Sequence, residues 1–172
     1  MHRYAWAALV AIAVPSAGCG AATPALESGV YRAGDVAFRV GDAPATWRPI
    51  HVDQATLAWR DDANRASVLV DARCHQKDDD VPLLALTEHL LAGTTDRKIA
   101  SEETLPFDAR EALHTRLQAK LDGVTMSYDL FVTKKDGCIY DFVYVLEPSA
   151  GEAGTAPFER FVSTFHTLGA AP

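Results

Sequence analysis

The stretch that decides the fold is VTMSYDLFVTKKDGCIYDFVYVL, which runs from Val124 to Leu146. Apolar and polar side chains alternate over Thr125 to Thr133 and again over Cys138 to Leu146, as they do in strands with one buried face. Between these segments lies the turn Lys134-Lys135-Asp136-Gly137, and Asp-Gly in such a turn is typical of a β-hairpin. The stretch therefore predicts a hairpin at the centre of the fold.

The preceding segment, Glu111 to Leu121, is compatible with two structures. Leu113, Leu117 and Leu121 recur at every fourth position among good helix formers, which favours a helix. The same residues also alternate between apolar and polar, and the Asp122-Gly123 that follows is a second hairpin turn. We expect a strand, which extends the hairpin into a three-stranded meander.

Shorter alternating segments upstream predict the rest of the sheet. They lie at Val36 to Val40, Thr56 to Arg60 and Ala66 to Cys74. The last segment has small apolar residues on one face, whereas Leu69, Asp71 and Arg73 would point to the other. One side of this strand is therefore expected to be polar or wet.

Helical periodicity is found in two places. Pro82 to Ala92 has leucines at helical spacing and ends before Gly93. Thr155 to Leu168 carries an apolar stripe that can cover the sheet, and it comprises Phe158, Phe161, Val162, Phe165 and Leu168. The segment Thr94 to Ala109 has no clean period, so we interpret it as a long exposed connection and as the best unassigned candidate for contacts.

The first residues resemble the signal peptide of a bacterial lipoprotein. Arg3 gives a positive start, and the apolar run from Tyr4 to Val14 is too short to span a membrane. Ser16-Ala17-Gly18-Cys19 then resembles a lipobox, although Ser16 stands where that pattern usually has an aliphatic residue. The resemblance implies a signal peptide at residues 1–18 and a lipid anchor on Cys19. The alternative is ordinary cleavage that releases a soluble protein.

The anchor implies a place in the cell. We expect the protein on the periplasmic face of a bacterial membrane, with the membrane as a partner through the N-terminal lipid. Gly20 after the cysteine resembles the sorting pattern of the outer membrane, which we favour over the inner. Residues 19–34 are rich in Ala, Thr, Pro, Ser and Gly and predict a flexible tether.

The other two cysteines, Cys74 and Cys138, predict one disulfide in an oxidising periplasm. On the chain-entropy model, such a bridge stabilises the fold by roughly 4 kcal/mol. Two free thiols are an alternative, as is a metal site formed by the cysteines with His75 and His89. No CxxC or HxxxH spacing supports that site, so no metal ligand is predicted.

Charge and motifs limit the possible functions. The 172-residue chain has a formal net charge of −7, and an acidic surface repels phosphate, so nucleic acid is not an expected partner. The sequence has no G-x-S-x-G, no phosphate-binding loop and no H-E-x-x-H. Ser163 and His166 would lie on one helix surface, which is no evidence of a dyad. No catalytic residue, cofactor or enzymatic activity is predicted.

The order of elements resembles the PsbP-like superfamily, which includes DcrB-type bacterial lipoproteins. The resemblance covers about Val36 to Leu168 and is carried by Pro44 and Trp47, Leu57 to Trp59, the helix at Pro82, Tyr140 to Tyr144, and the phenylalanines Phe158, Phe161 and Phe165. It implies an α+β fold in which an antiparallel β-sheet is flanked by helices, as a PsbP-like α/β/α sandwich. We expect a single domain of this type at residues 35–169.

The leading functional hypothesis is a non-catalytic accessory or binding module of the cell envelope, with an envelope protein as its partner. A carrier or sensor of a small ligand or metal is one alternative, and a closed apolar cavity would favour it. A hydrolase is another, and histidine and carboxylate groups that converge in an open cleft would favour it.

Overall fold

The fold is described from a computed structural model, for residues 26–74, 81–150 and 153–168. The predicted signal peptide at 1–18 and lipid anchor Cys19 lie outside these ranges. The strands are β1 (Val30–Ala33), β2 (Val36–Arg39), β3 (Trp47–Pro49), β4 (Leu57–Asp61), β5 (Ala66–Cys74), β6 (Thr94–Phe107), β7 (Arg110–Leu121), β8 (Val124–Lys135), β9 (Cys138–Leu146) and β10 (His166–Thr167). The helices are α1 (Leu83–Leu90), α2 (Thr155–Ser163) and a 3-10 turn at Pro148–Ala150.

These elements form an α+β fold with two antiparallel sheets. The larger sheet has the order β3-β4-β5-β9-β8-β7-β6, and the smaller has the order β1-β2-β10. Strand β9 therefore lies in the middle of the larger sheet, next to its hairpin partner β8. The predicted central hairpin is confirmed.

Two turns of the meander follow directly from their sequence. Asp136 and Gly137 both have positive φ angles, of 53° and 73°, and Asp122 and Gly123 have φ angles of 50° and 80°. Two successive residues of positive φ make the turn whose twist matches that of paired strands. The strand expected at Glu111 to Leu121 is confirmed as β7, because the second of these turns leads it directly into β8.

The long connection expected at Thr94 to Ala109 is wrong, because this segment forms β6. It is an edge strand, and most of its side chains are exposed. Register shifts after Thr95 and Ile99 also interrupt its pairing with β7. An exposed strand with bulges has no buried face to impose an apolar alternation, so its period cannot be read from the sequence.

Two further boundaries differ from the expected ones. The tether predicted at residues 19–34 includes β1, which pairs with β2 and stacks Tyr31 on Phe38. The closing helix expected to reach Leu168 ends at Ser163, and His166–Thr167 then pairs with β2. Phe165 still enters the core, so the apolar stripe continues past the end of the helix.

The main core lies between the larger sheet and the layer formed by α2 and the smaller sheet. Phe158, Phe161 and Val162 of α2 are fully buried there against aromatic residues of the strands. Helix α1 packs on the opposite face of the larger sheet, where Leu86 contacts Val132 and Ile139. This is the expected three-layer arrangement. In the part of the chain described, no helix has the length and hydropathy needed to cross a membrane.

Candidate ligand-binding groove

One face of the larger sheet is only partly covered. Helix α1 lies over β7 and β8, and beside it Leu69, Val143 and Val145 on β5 and β9 remain half-buried. The space between α1 and residues 52–55 is an open groove with a volume of about 740 Å³. We call it the α1-side groove.

The α1-side groove combines apolar walls with a few polar groups. Its floor is formed by Leu69, Leu130, Val143 and Val145, and one wall is formed by Leu86, Leu90 and Leu91. Its polar lining residues include Asp53, Asp71, Arg73, His89, Tyr128 and Asp141. This composition is typical of ligand sites, in which apolar contacts give affinity and a few polar groups fix orientation.

Three charged residues converge at one end of the groove. Asp71 on β5 lies directly opposite Asp141 on β9, and Arg73 is two residues further along β5. The Arg73 Nη1 donates to Asp141 Oδ2 at 2.7 Å and also to Asp71. Thr56 Oγ1 donates to Asp71 Oδ1 at 3.4 Å. One guanidinium is thus shared by two carboxylates.

Asp141 is buried without full hydrogen bonding. Its side chain is 2% exposed, and within the described ranges its Oδ1 has no hydrogen-bond partner. Burial raises the pKa of Asp141, and the attraction of Arg73 only partly opposes this effect. For Arg73, burial lowers the pKa, but the attraction of the two carboxylates outweighs burial and raises it. The effect of burial on the pKa prevails for Asp141 and not for Arg73, because the Arg73 side chain is one third exposed and keeps part of its hydration, whereas the Asp141 side chain is buried.

The other end of the groove has a second buried polar group. Tyr128 on β8 lies opposite Val145, and among the residues described its hydroxyl has no hydrogen-bond partner. Burial raises the pKa of this hydroxyl. Val145 is four residues from Asp141 along β9, so the two ends lie about 13 Å apart at about 3.3 Å per residue. The groove can therefore hold an elongated apolar group with a hydrogen-bonding group at each end.

A second cavity, of about 470 Å³, lies between the start of the described chain and β4, lined by Leu26, Gly29, Ile50 and Trp59. Within the described ranges, none of the buried side-chain atoms that lack a partner belongs to its lining. We therefore consider the α1-side groove the stronger candidate.

A polar cluster on the α2 side has the residues for a metal site. His114, Asp129 and Glu159 offer ligand atoms within 4.8 Å of one another. However, Arg116 donates to Asp129 at 3.4 Å and also to Glu159, and His114 Nε2 lies 2.6 Å from Asp129 Oδ1. The guanidinium already supplies the positive charge between these carboxylates. We interpret the cluster as a structural tie between β7, β8 and α2.

The structure locates the remaining residues singled out in the sequence. Cys74 and Cys138 form the predicted disulfide, so their sulfurs cannot also act as metal ligands. His75 lies outside the described residues, and His89 lines the α1-side groove. The helix-surface pair Ser163 and His166 does not exist, because His166 belongs to β10 and bonds to Asp108 instead.

Asp141 and Tyr128 were missed in the sequence. A signal for Asp141 is present, since it is the one charged residue between Cys138 and Leu146. Its meaning depends on Asp71, which lies opposite it only once β5 and β9 pair. For Tyr128 the sequence has no signal, because an aromatic residue in a strand is usually part of the core.

No family model and no curated protein match this chain. Among solved structures it is similar to the cyanobacterial PsbP of Synechocystis sp. PCC 6803, with 13% identity, a TM-score of 0.57, and coverage of 82% of this chain and 88% of that one. It is also similar to a Pseudomonas aeruginosa protein of unknown function, with 12% identity, a TM-score of 0.50, and coverage of 83% and 96%. A Bacteroides thetaiotaomicron VPI-5482 structure matches at 11% identity and a TM-score of 0.52, over 76% of this chain and 45% of that one.

These likenesses show the fold alone. They confirm the expected PsbP-like architecture and the α+β class. None of the three descriptions names an enzymatic activity.

Proposed function

We propose that the protein is a non-catalytic binding module, held by a lipid on Cys19 at the periplasmic face of a bacterial outer membrane, that binds an envelope protein through the α1-side groove. The observation that carries this proposal is the groove itself, with its apolar floor and two buried polar atoms that have no partner among the described residues. A bound protein would cover the floor and supply the missing hydrogen bonds.

The shape of the groove supports a protein partner over an enclosed small ligand. Its floor residues Leu69, Val143 and Val145 are half-buried, so a small molecule there would remain exposed to water on one side. Leu121, which also lines the groove, is 44% exposed and extends its apolar surface outward. An apolar surface that continues from a groove onto the exposed surface of the protein is typical of protein interaction sites.

The lining also supports binding over hydrolysis by a covalent nucleophile. The described lining contains no serine or cysteine, and the hydroxyl of Thr94 donates to the carbonyl oxygen of Leu91. Arg73 is engaged by two carboxylates. The described lining therefore holds no serine or cysteine that a neighbouring base could activate for covalent catalysis.

Cysteine usage supports the proposed anchor. Disulfides persist in oxidising compartments such as the periplasm, and the bridge accounts for Cys74 and Cys138 of the three cysteines. Cys19 is left directly behind the apolar run and its small residues. Cells labelled with radioactive palmitate should yield labelled protein, and Cys19→Ser should abolish the label. Continued labelling of that variant would contradict the anchor.

The binding surface can be tested by crosslinking in cells. A photoreactive amino acid at Leu69, on the floor of the groove, should capture a discrete polypeptide. The matched control is the same amino acid at Ile99, an apolar residue that is 57% exposed on edge strand β6. Capture at Leu69 but not at Ile99 supports the proposal. Equal capture at both positions, or no capture at Leu69, contradicts it.

A further inference from the structure

We propose that the α1-side groove recognises a polypeptide segment that places a lysine side chain against Asp141, with apolar residues beside it. This inference rests on the proposed function, since it names the chemistry of the partner that would occupy the groove.

The charge of the groove favours a cation. Asp53, Asp71 and Asp141 line it, and Arg73 is the arginine on the described lining. Arg73 is shared by Asp71 and Asp141, so on the described lining three carboxylates face one guanidinium. An acidic segment would be repelled from this end of the groove, whereas a basic one would be attracted.

The geometry at Asp141 favours lysine over arginine. Arg73 already occupies Oδ2, which leaves only Oδ1 of Asp141 without a partner in the described chain. An arginine fork is best matched by two carboxylate oxygens in parallel, whereas a lysine ammonium is a compact charge that can bond to one. The methylene stem of the lysine can lie on the apolar floor while its charge reaches the carboxylate.

The length of the groove sets the size of the segment. Asp141 lies about 13 Å along β9 from Val145, the residue opposite Tyr128, and an extended chain spans that length with about four residues. The Tyr128 hydroxyl can donate to a backbone carbonyl or accept from a backbone N–H at the far end. Between the two ends, apolar side chains of the segment would contact Leu69, Val143 and Val145.

Burial at Asp141 is consistent with this partner. Burial raises the pKa of Asp141 in the free protein because the ionised form lacks hydration. An ammonium group beside Oδ1 would stabilise the ionised form and supply the missing donor.

The test uses a fluorescein-labelled peptide of valine and threonine with one central lysine, titrated with the purified full chain and followed by anisotropy. Two further peptides carry acetyl-lysine or glutamate at that position. The wild type should bind the lysine peptide at least about tenfold more tightly than the acetyl-lysine peptide, as expected for a charge-assisted hydrogen bond. The glutamate peptide should bind most weakly.

Variants then assign the preference to one residue. Asp141→Asn should reduce the ratio of lysine to acetyl-lysine affinity to about one. Tyr128→Phe should weaken both peptides and keep the ratio, because it acts at the other end of the groove. Asp62→Asn, on an exposed turn, is the matched control and should change neither affinity.

An unchanged ratio in Asp141→Asn overturns the inference, as does a wild type that binds no peptide or prefers glutamate. These failures are distinct from failure of the proposed function. If Leu69 gives crosslinks but the peptides show no preference for lysine, the groove remains the proposed binding surface and only the lysine preference is rejected. If Leu69 gives no crosslinks, the proposed binding surface itself is rejected.

Discussion

At Asp141, the stability of the fold and the proposed binding by the groove favour different side chains. A buried strand position would be most stable with an apolar side chain, yet it holds a carboxylate with one oxygen unpartnered in the described chain. Residues that lower stability in a cleft are candidates for function, because binding sites often retain such strain. Asp141 therefore marks the groove more clearly than any apolar residue does.

We predict that Asp141→Asn stabilises the free protein at neutral pH by about 1 kcal/mol. Because the pKa of Asp141 is raised in the folded state, the protonated side chain favours the folded state. This contribution to stability is fully present below the ordinary pKa of aspartate and is lost as the pH rises through the pKa of Asp141 in the folded protein. The advantage of the variant should therefore shrink toward about pH 3. Urea denaturation at several pH values measures it.

The control for this prediction is Asp62→Asn, an exposed substitution that should change the free energy of unfolding by less than about 0.5 kcal/mol. A wild type more stable than Asp141→Asn at neutral pH would show that the bond to Arg73 outweighs the cost of burial.

At the scale of elements, Asp108 joins three parts of the chain. It lies in the turn between β6 and β7, where its Oδ2 accepts from Lys135 at 2.7 Å and from the Thr167 backbone N–H at 2.8 Å. Burial raises its pKa, but the bonds from Lys135 and Thr167 outweigh burial and lower it. One carboxylate thus connects this turn to the end of β8 and to β10.

We predict that Asp108→Asn destabilises the fold at neutral pH by about 1–3 kcal/mol, since hydrogen bonds to a buried charge are lost. Because the pKa is lowered, this stabilisation is present above the ordinary pKa of aspartate and is lost as the pH falls through the folded value. The difference between variant and wild type should therefore fade in acid. Thermal unfolding across pH is the measurement.

Asp122→Asn is the matched control, because Asp122 and Asp108 both begin a turn with positive φ, of 50° and 44°. Asp122 is exposed, so its substitution should leave the melting temperature nearly unchanged. If the melting temperature fell equally in both variants, the destabilisation would come from the geometry of the turn and not from the hydrogen bonds of Asp108.

Elements could be predicted from the sequence where one face is buried and the turn has the expected residues. Strands β8 and β9 meet both conditions, whereas β5 meets only the first, because the turn before it ends at Arg65, a non-glycine residue with a φ angle of 48°. Strand β6 meets neither, because it is exposed and its turn to β7 is Asp108-Ala109, without glycine. Strands β1 and β10 are short and form only by pairing with β2, and no local pattern in the sequence indicates these two pairings.

At the scale of the whole molecule, the fold was easier to predict than the groove. The core depends on apolar residues that each segment shows by itself, such as the phenylalanines of α2. The groove depends on which residues β5 and β9 bring together and on how much of the sheet α1 leaves uncovered. Neither property is local, so Asp71 and Asp141 could not be paired from the sequence.

The disulfide acts at this larger scale because Cys74 and Cys138 are 64 residues apart. We predict that the double variant Cys74→Ser/Cys138→Ser loses roughly 4 kcal/mol on the chain-entropy model. The melting temperature should fall by roughly 10 °C, as scanning calorimetry would show. Reductant should lower the melting temperature of the wild type and leave that of the double variant unchanged; a wild type insensitive to reductant would contradict the prediction.

Strand β10 has a consequence for the time course of folding. The smaller sheet is completed when His166–Thr167 pairs with β2, more than a hundred residues earlier in the chain. Contacts between such distant residues form slowly, because a long loop must close first. A chain emerging from the ribosome cannot complete this sheet until Thr167 is available. The smaller sheet of a nascent chain therefore stays incomplete throughout the synthesis of all the residues that lie between β2 and β10.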